Sequence, residues 1–229
     1  MDQDINAPPL NPLPWIVWVL ALPLIAMEVV LSLAEAGLVG GVQGPGWRLQ
    51  AVEHFGLFPE LLKYQWETGG HPLAELHRLV SYTVVHGSFT HALFAVVMVL
   101  ALGKWVGEVF RWWAVLIVVL GSAAAGAVSY GLLIPGIRMQ LIGAYPAIYG
   151  LIGAFTFMVF TNLSRVGANK WRAFSLIGFL LFFQFVFGML FGGGWDWVAD
   201  VSGFAFGFLV SVVVSPGGFR RVLEQVRQR

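Results

Sequence analysis

The feature that most constrains this chain is its division into six apolar runs, each long enough to cross a bilayer. A spanning helix needs roughly 20 mostly apolar residues. The runs lie near 14–36, 79–102, 112–133, 145–163, 173–191 and 196–215. In lipid no water can satisfy an open backbone, so runs of this length are committed to helices. Composition agrees: 58% of the 229 residues are hydrophobic and 11% are charged, against about 25% charged in a soluble domain. The expected fold class is therefore all-α, a polytopic membrane protein. It divides into an N-terminal tail 1–13, one membrane domain 14–215 and a basic C-terminal tail 216–229. There is no internal repeat or low-complexity tract. The absence of Cys excludes disulfides and thiolate chemistry. A net charge of +1 argues against a nucleic-acid partner. The first residues, Met-Asp-Gln-Asp-Ile-Asn, lack the basic n-region of a cleaved signal, so the first run is expected to remain as a span.

Basic residues set the expected orientation. With six spans, both termini share one side with the loops after spans two and four. That side carries Lys104, Arg111, Arg165, Lys170, Arg172, Arg220, Arg221, Arg227 and Arg229, nine in all, against four (Arg48, Lys63, Arg78, Arg138) on the other. Both termini are expected in the cytoplasm, with the chain in the cell (inner) membrane. The one long loop, 37–78, then faces outside. Pro59 and the following Glu-Leu-Leu-Lys-Tyr-Gln-Trp predict a short interfacial helix. It serves either as an amphipathic cover or as a platform touching lipid or a partner. Trp112, Trp113, Trp171, Trp195 and Trp197 fall at span ends as an aromatic belt.

Three stretches carry chemistry. Span four opens with Gly143-Ala-Tyr-Pro-Ala-Ile-Tyr-Gly-Leu-Ile-Gly153, where Pro146 suits a first helical turn and the glycines admit a close neighbour. Span six reads Ala199-Asp-Val-Ser-Gly-Phe-Ala-Phe-Gly207, again with small residues four apart. Around the entry to span two, Arg78, His86 and His91 follow at intervals of eight and five. In this order the three stretches resemble the rhomboid intramembrane serine proteases, over nearly the whole chain. The resemblance implies a six-helix bundle with a long external loop after helix 1. It also implies that His91 keeps the place of a family histidine that helps build the oxyanion hole. The decisive positions have changed. Tyr145 stands where the nucleophilic serine belongs, Pro146 where a glycine follows it, Asp200 where the catalytic histidine belongs, and Ala95 where the family has Asn. His77 replaces the aromatic residue before Arg78.

Serine hydrolysis needs a nucleophile, a base and oxyanion donors. A phenol ionises near about 10 on a rigid ring, and an Asp carboxylate near about 3.9 is a weak base for it. The resemblance with these substitutions implies a pseudoprotease, not an enzyme, that binds other transmembrane segments in assembly, quality control or as a subunit of a membrane complex. Two alternatives stay open. One is an active intramembrane serine endopeptidase using Ser202 or Ser88. The other is an ion or proton carrier using Glu28 and Asp200. No metal or cofactor is expected: His86 and His91, five apart, suit loop-to-helix hydrogen bonds better than one ligating face.

The expected partners are membrane lipids and one or more transmembrane proteins. Candidate contacts are Phe182 and Phe185 in the phenylalanine-rich span five, Trp66 in the loop, and Glu28. Glu28 and Glu35 share a face of span one; Glu28, the deeper, is expected to bond a neighbouring helix and Glu35 to be solvated. The Gln184 amide should bond another helix. Swapping Ser for Tyr145 and His for Asp200 roughly conserves volume, so the Tyr145 hydroxyl is expected to reach Asp200, directly or through His91 or one water.

Overall fold

The computed structural model describes residues 12–69, 75–134, 139–191 and 194–218. Its helices are α1 (Trp15–Glu35), α2 (Trp47–Phe55), α3 (Pro59–Glu67), α4 (Arg78–Ser81), α5 (Phe89–Val109), α6 (Trp112–Leu133), α7 (Tyr145–Arg165), α8 (Ser175–Phe191) and α9 (Asp196–Val214). The six long helices α1 and α5–α9 are each apolar enough to cross a membrane. At one end of these spans lies the α2–α4 segment, called the loop end below.

Five spans start and stop within a few residues of expectation; span two does not. The apolar run from residue 79 folds first as α4 and a single 3-10 turn, Tyr82–Val84, before α5 begins at Phe89. The cause is local. Ser88, in extended conformation, caps α5 by accepting from the His91 N–H at 3.3 Å. Upstream, the Arg78 guanidinium donates to the carbonyls of Glu53 and Gly56 at 2.7 and 2.8 Å and so holds the end of α2. Tyr82 and Val85 are wholly buried, so this apolar run is core rather than span. In the loop, α3 occupies the predicted interfacial helix; α2 was not expected there. α2 buries Ala51 and Val52 against Leu31 and Val85.

α7 is the centre of the bundle. Its Ile148, Leu151 and Ile152 pack with Val115 and Val118 of α6, Val99 and Val106 of α5, and Val17 and Leu24 of α1. The α7–α9 seam depends on glycine. A Cβ on Gly203 would enter the Pro146 carbonyl, one on Gly207 the Gly150 carbonyl, and one on Gly153 would lie 2.6 Å from Phe208 N. On α6, a Cβ on Gly126 would lie 2.9 Å from Ala199 O. Small residues let helices approach closely where hydrophobic driving force between helices is weak. The contrast is α8. Over the most apolar stretch of each span, 56% of α7 is buried but 12% of the span that includes α8.

Candidate functional site

The site is built where α5, α7 and α9 converge at the loop end. Gly143 precedes α7 with φ +98°, and its N–H donates to Tyr82 O at 2.9 Å. A Cβ there would also lie 3.0 Å from the His91 ring. This left-handed turn without a side chain lets the chain pass against His91. The next N–H, of Ala144, donates to His86 Nε2 at 3.2 Å. His86 must therefore be neutral at that nitrogen, and burial, reinforced by the nearby His91, lowers its pKa to about 4. His91 Nδ1 accepts from Gly87 N at 3.3 Å, and the two imidazoles meet edge to face at 5.1 Å. The expected loop-to-helix role of both histidines is what the geometry shows, and among the described residues no group of ligands could hold a metal ion.

The direct hydrogen bond expected between Tyr145 and Asp200 is not formed among the described residues. The Tyr145 ring stacks on His91, centroids 5.1 Å apart and planes at 22°. The reason is directional. Side chains at the start of a helix lean back toward its N-terminus, which here carries the ring onto the end of α5. Asp200 lies one turn inside α9 and is 4% exposed. It accepts instead from Gln184 Nε2 of α8 at 2.8 Å, and Gln184 Oε1 accepts from Tyr149 OH at 3.1 Å. Gln184 thus bonds two helices. Ala95 is fully buried one turn beyond His91 and offers no donor. The remaining acid of this region, Asp196, lies near Tyr130, whose OH donates to Met139 O at 3.4 Å.

A second polar cluster was missed at its centre. Arg48, at the start of α2, donates to Glu28 through both terminal nitrogens at 2.9 Å and to Glu35 at 2.5 and 3.0 Å. It also donates to His86 O at 2.8 Å. Ser32 Oγ donates to Glu28 at 2.8 Å. The two carboxylates raise the Arg48 pKa further above its already high value. Glu35 is exposed, as expected, and also accepts from Arg48. Glu28 bonds the loop helix α2 rather than another span, and faces inward, 6% exposed. The partial signal was two acids sharing one helical face, which calls for a cation without saying which one. Phe182 and Phe185 point outward from α8, 61% and 66% exposed, and the Trp66 side chain lies outside the described residues.

A family model described as the Rhomboid domain matches residues 73–217. The chain therefore belongs to the rhomboid family, whose members are normally intramembrane serine proteases. No curated protein matches it. The match spans all three motif stretches, Arg78 to His91, Gly143 to Gly153 and Ala199 to Gly207.

Proposed function

We propose that this rhomboid-family protein is non-catalytic and works by binding other transmembrane segments. The observation that carries the reading is the stacking of Tyr145 on His91. At the position that the resemblance gives to the serine stands a rigid ring, and it is packed against the His91 imidazole, where it crowds the approach of a substrate. Three further features support it. Asp200 is already bonded to an amide. Ala95 supplies no donor. Ser88 is engaged as a helix cap. Removing members of a catalytic set leaves only the background of the rest. The kept scaffold then has another use: α8 offers a broad apolar face, including Phe182 and Phe185, on the least embedded span. On this reading the partner lies along α5 and α8 and the segment 47–66, with Trp66 in that surface, in the inner membrane and with both termini cytoplasmic.

The test is a fluorophosphonate probe applied to the full chain in membranes. No labelled serine is the expected result. Labelling abolished by one substitution, Ser202→Ala or Ser88→Ala, would overturn the proposal. Photo-crosslinkers at Phe182 and Phe185 test the binding half: they should trap another membrane protein, and trapping lipid alone would count against it.

A further inference from the structure

We propose that Asp200 is a recognition point for a lysine or arginine carried in a partner's transmembrane segment. This rests on the reading that the chain binds such segments, and it adds what chemistry selects them.

The starting observation is a buried carboxyl with no cation beside it among the described residues. An acid inside a spanning helix is normally paired, and its partner indicates its use. Glu28 has Arg48. Asp200 is equally deep in the fold, yet no cation reaches it among the described residues; its one hydrogen-bond donor is the neutral Gln184 amide. The other ionisable groups facing it are Tyr82 from the turn before α5, Tyr145 and Tyr149 from α7, and the second acid Asp196 on α9. Each is neutral or acidic. The phenols are largely engaged elsewhere: Tyr82 OH donates to Ala123 O at 2.9 Å, Tyr149 OH donates to Gln184, and Tyr145 stacks on His91. Such a pocket attracts a cation and repels an anion.

The second observation concerns access. The side chain that covers Asp200 belongs to α8, the least buried span, whose outward face is phenylalanine. A transmembrane segment lying along that face would meet apolar rings over most of its length. One long basic side chain could reach inward past Gln184 with its stem in apolar surroundings, as Lys and Arg do in membranes. Gln184 could keep its bond to Tyr149 while yielding the carboxylate. The recognised residue should sit in the third of the partner span nearest the loop end, because Asp200 lies one turn inside α9 at that end.

The experiment uses the full chain in membranes with a photo-crosslinking amino acid at Phe182. It is co-expressed with single-span Leu/Ala reporters that carry lysine, leucine or aspartate at the matching depth. The lysine reporter should be captured about tenfold more than the leucine reporter, a modest return for one desolvated charge pair. Asp200→Asn, which keeps an acceptor for Gln184, should remove that preference, and Asp200→Lys should transfer it to the aspartate reporter. If the variants do not fold, the three reporters on the unsubstituted chain still decide. Equal capture of all three would overturn the role of Asp200 and leave segment binding standing. Capture of none would overturn both.

Discussion

The molecule holds two buried carboxylates at the same end of the bundle and treats them oppositely. Glu28 is closed into a cluster in which every strong donor has an acceptor. Arg48 spans Glu28, Glu35 and the His86 carbonyl, and Ser32 adds one more bond. Among the described residues Asp200 has one neutral donor, on the least embedded helix. The first arrangement pins the loop helix α2 to α1 and leaves nothing for a ligand to complete. The second leaves a buried carboxyl with no cation beside it among the described residues, and its cover loosely packed. The comparison separates burial from satisfaction: both acids are out of water, but among the described residues only one has a cation beside it.

Arg48→Ala tests the first side most severely. Removing one member of a buried ion pair leaves the other uncompensated and destabilises by about 3–5 kcal/mol, whereas replacing the set with apolar groups of similar volume is close to neutral. Arg48→Ala should therefore abolish or strongly weaken folding, measured as thermal unfolding in detergent. Arg48→Met with Glu28→Leu should recover most of the loss. A small effect of Arg48→Ala alone would remove the distinction between the two sites.

The pH dependence probes the residue that the two regions share. His86 gives its carbonyl to Arg48 and its Nε2 to Ala144. Its pKa is about 4 when folded and near 6.5 otherwise, so the unfolded chain binds the extra proton first. Stability is then fully present above pH 6.5 and is lost as pH falls from 6.5 toward 4, by up to about 3 kcal/mol at one proton's worth of shift. His86→Gln, which keeps an acceptor, should flatten that slope in an unfolding series across this range. An unchanged slope would place the titration elsewhere.

On the Asp200 side, Gln184→Leu removes the one donor and should destabilise by about 1–3 kcal/mol, the penalty for an orphaned buried polar group. Gln184→Leu with Asp200→Leu should be milder than Gln184→Leu alone, since both demands disappear together. A double-mutant cycle read by thermal unfolding gives the coupling. No coupling would mean that the Gln184 bond does not hold α8.

How much of this the sequence discloses follows from what each feature depends on. The spans are legible because the bilayer imposes one length on all of them, and the α7–α9 seam because Gly153, Gly203 and Gly207 are spaced to admit a close neighbour. The start of α5 is not, because hydropathy cannot distinguish Leu79–Val85 as core from the same residues as span; the Ser88 cap decides it. Arg48 escapes because its partners lie 13 and 20 residues away across a loop whose path no pattern predicts. That Gln184 bonds another helix is expected of any amide in lipid. Which helix depends on the rotation of α8, which composition leaves open. Tyr145 is misplaced for a similar reason: conserving volume between two positions says nothing about which way a ring at a helix start will lean.

The smallest expected effects concern Tyr145, and they carry the functional weight. Since the Tyr145 hydroxyl does not hold Asp200, Tyr145→Phe should leave thermal stability within the roughly ±0.5 kcal/mol of an uninvolved site, while Tyr145→Ala should lose the His91 stack and about 0.5–1.5 kcal/mol. The reverse substitution is more informative. Tyr145→Ser with Asp200→His restores the nucleophile and base residue types of the family, and it removes the ring from the His91 face. It does not restore the backbone or side-chain donors. Pro146 has no N–H to offer at the second residue of α7, and Ala95 remains apolar one turn beyond His91. A missing oxyanion donor alone lowers turnover by about 10²–10³, so the double variant should show no cleavage of a model transmembrane substrate in proteoliposomes. Adding Pro146→Gly and Ala95→Asn is the step at which labelling by a fluorophosphonate should first appear. Cleavage by the double variant alone would show that the donors were never the obstacle, and that the ring of Tyr145 was the only barrier between this scaffold and proteolysis.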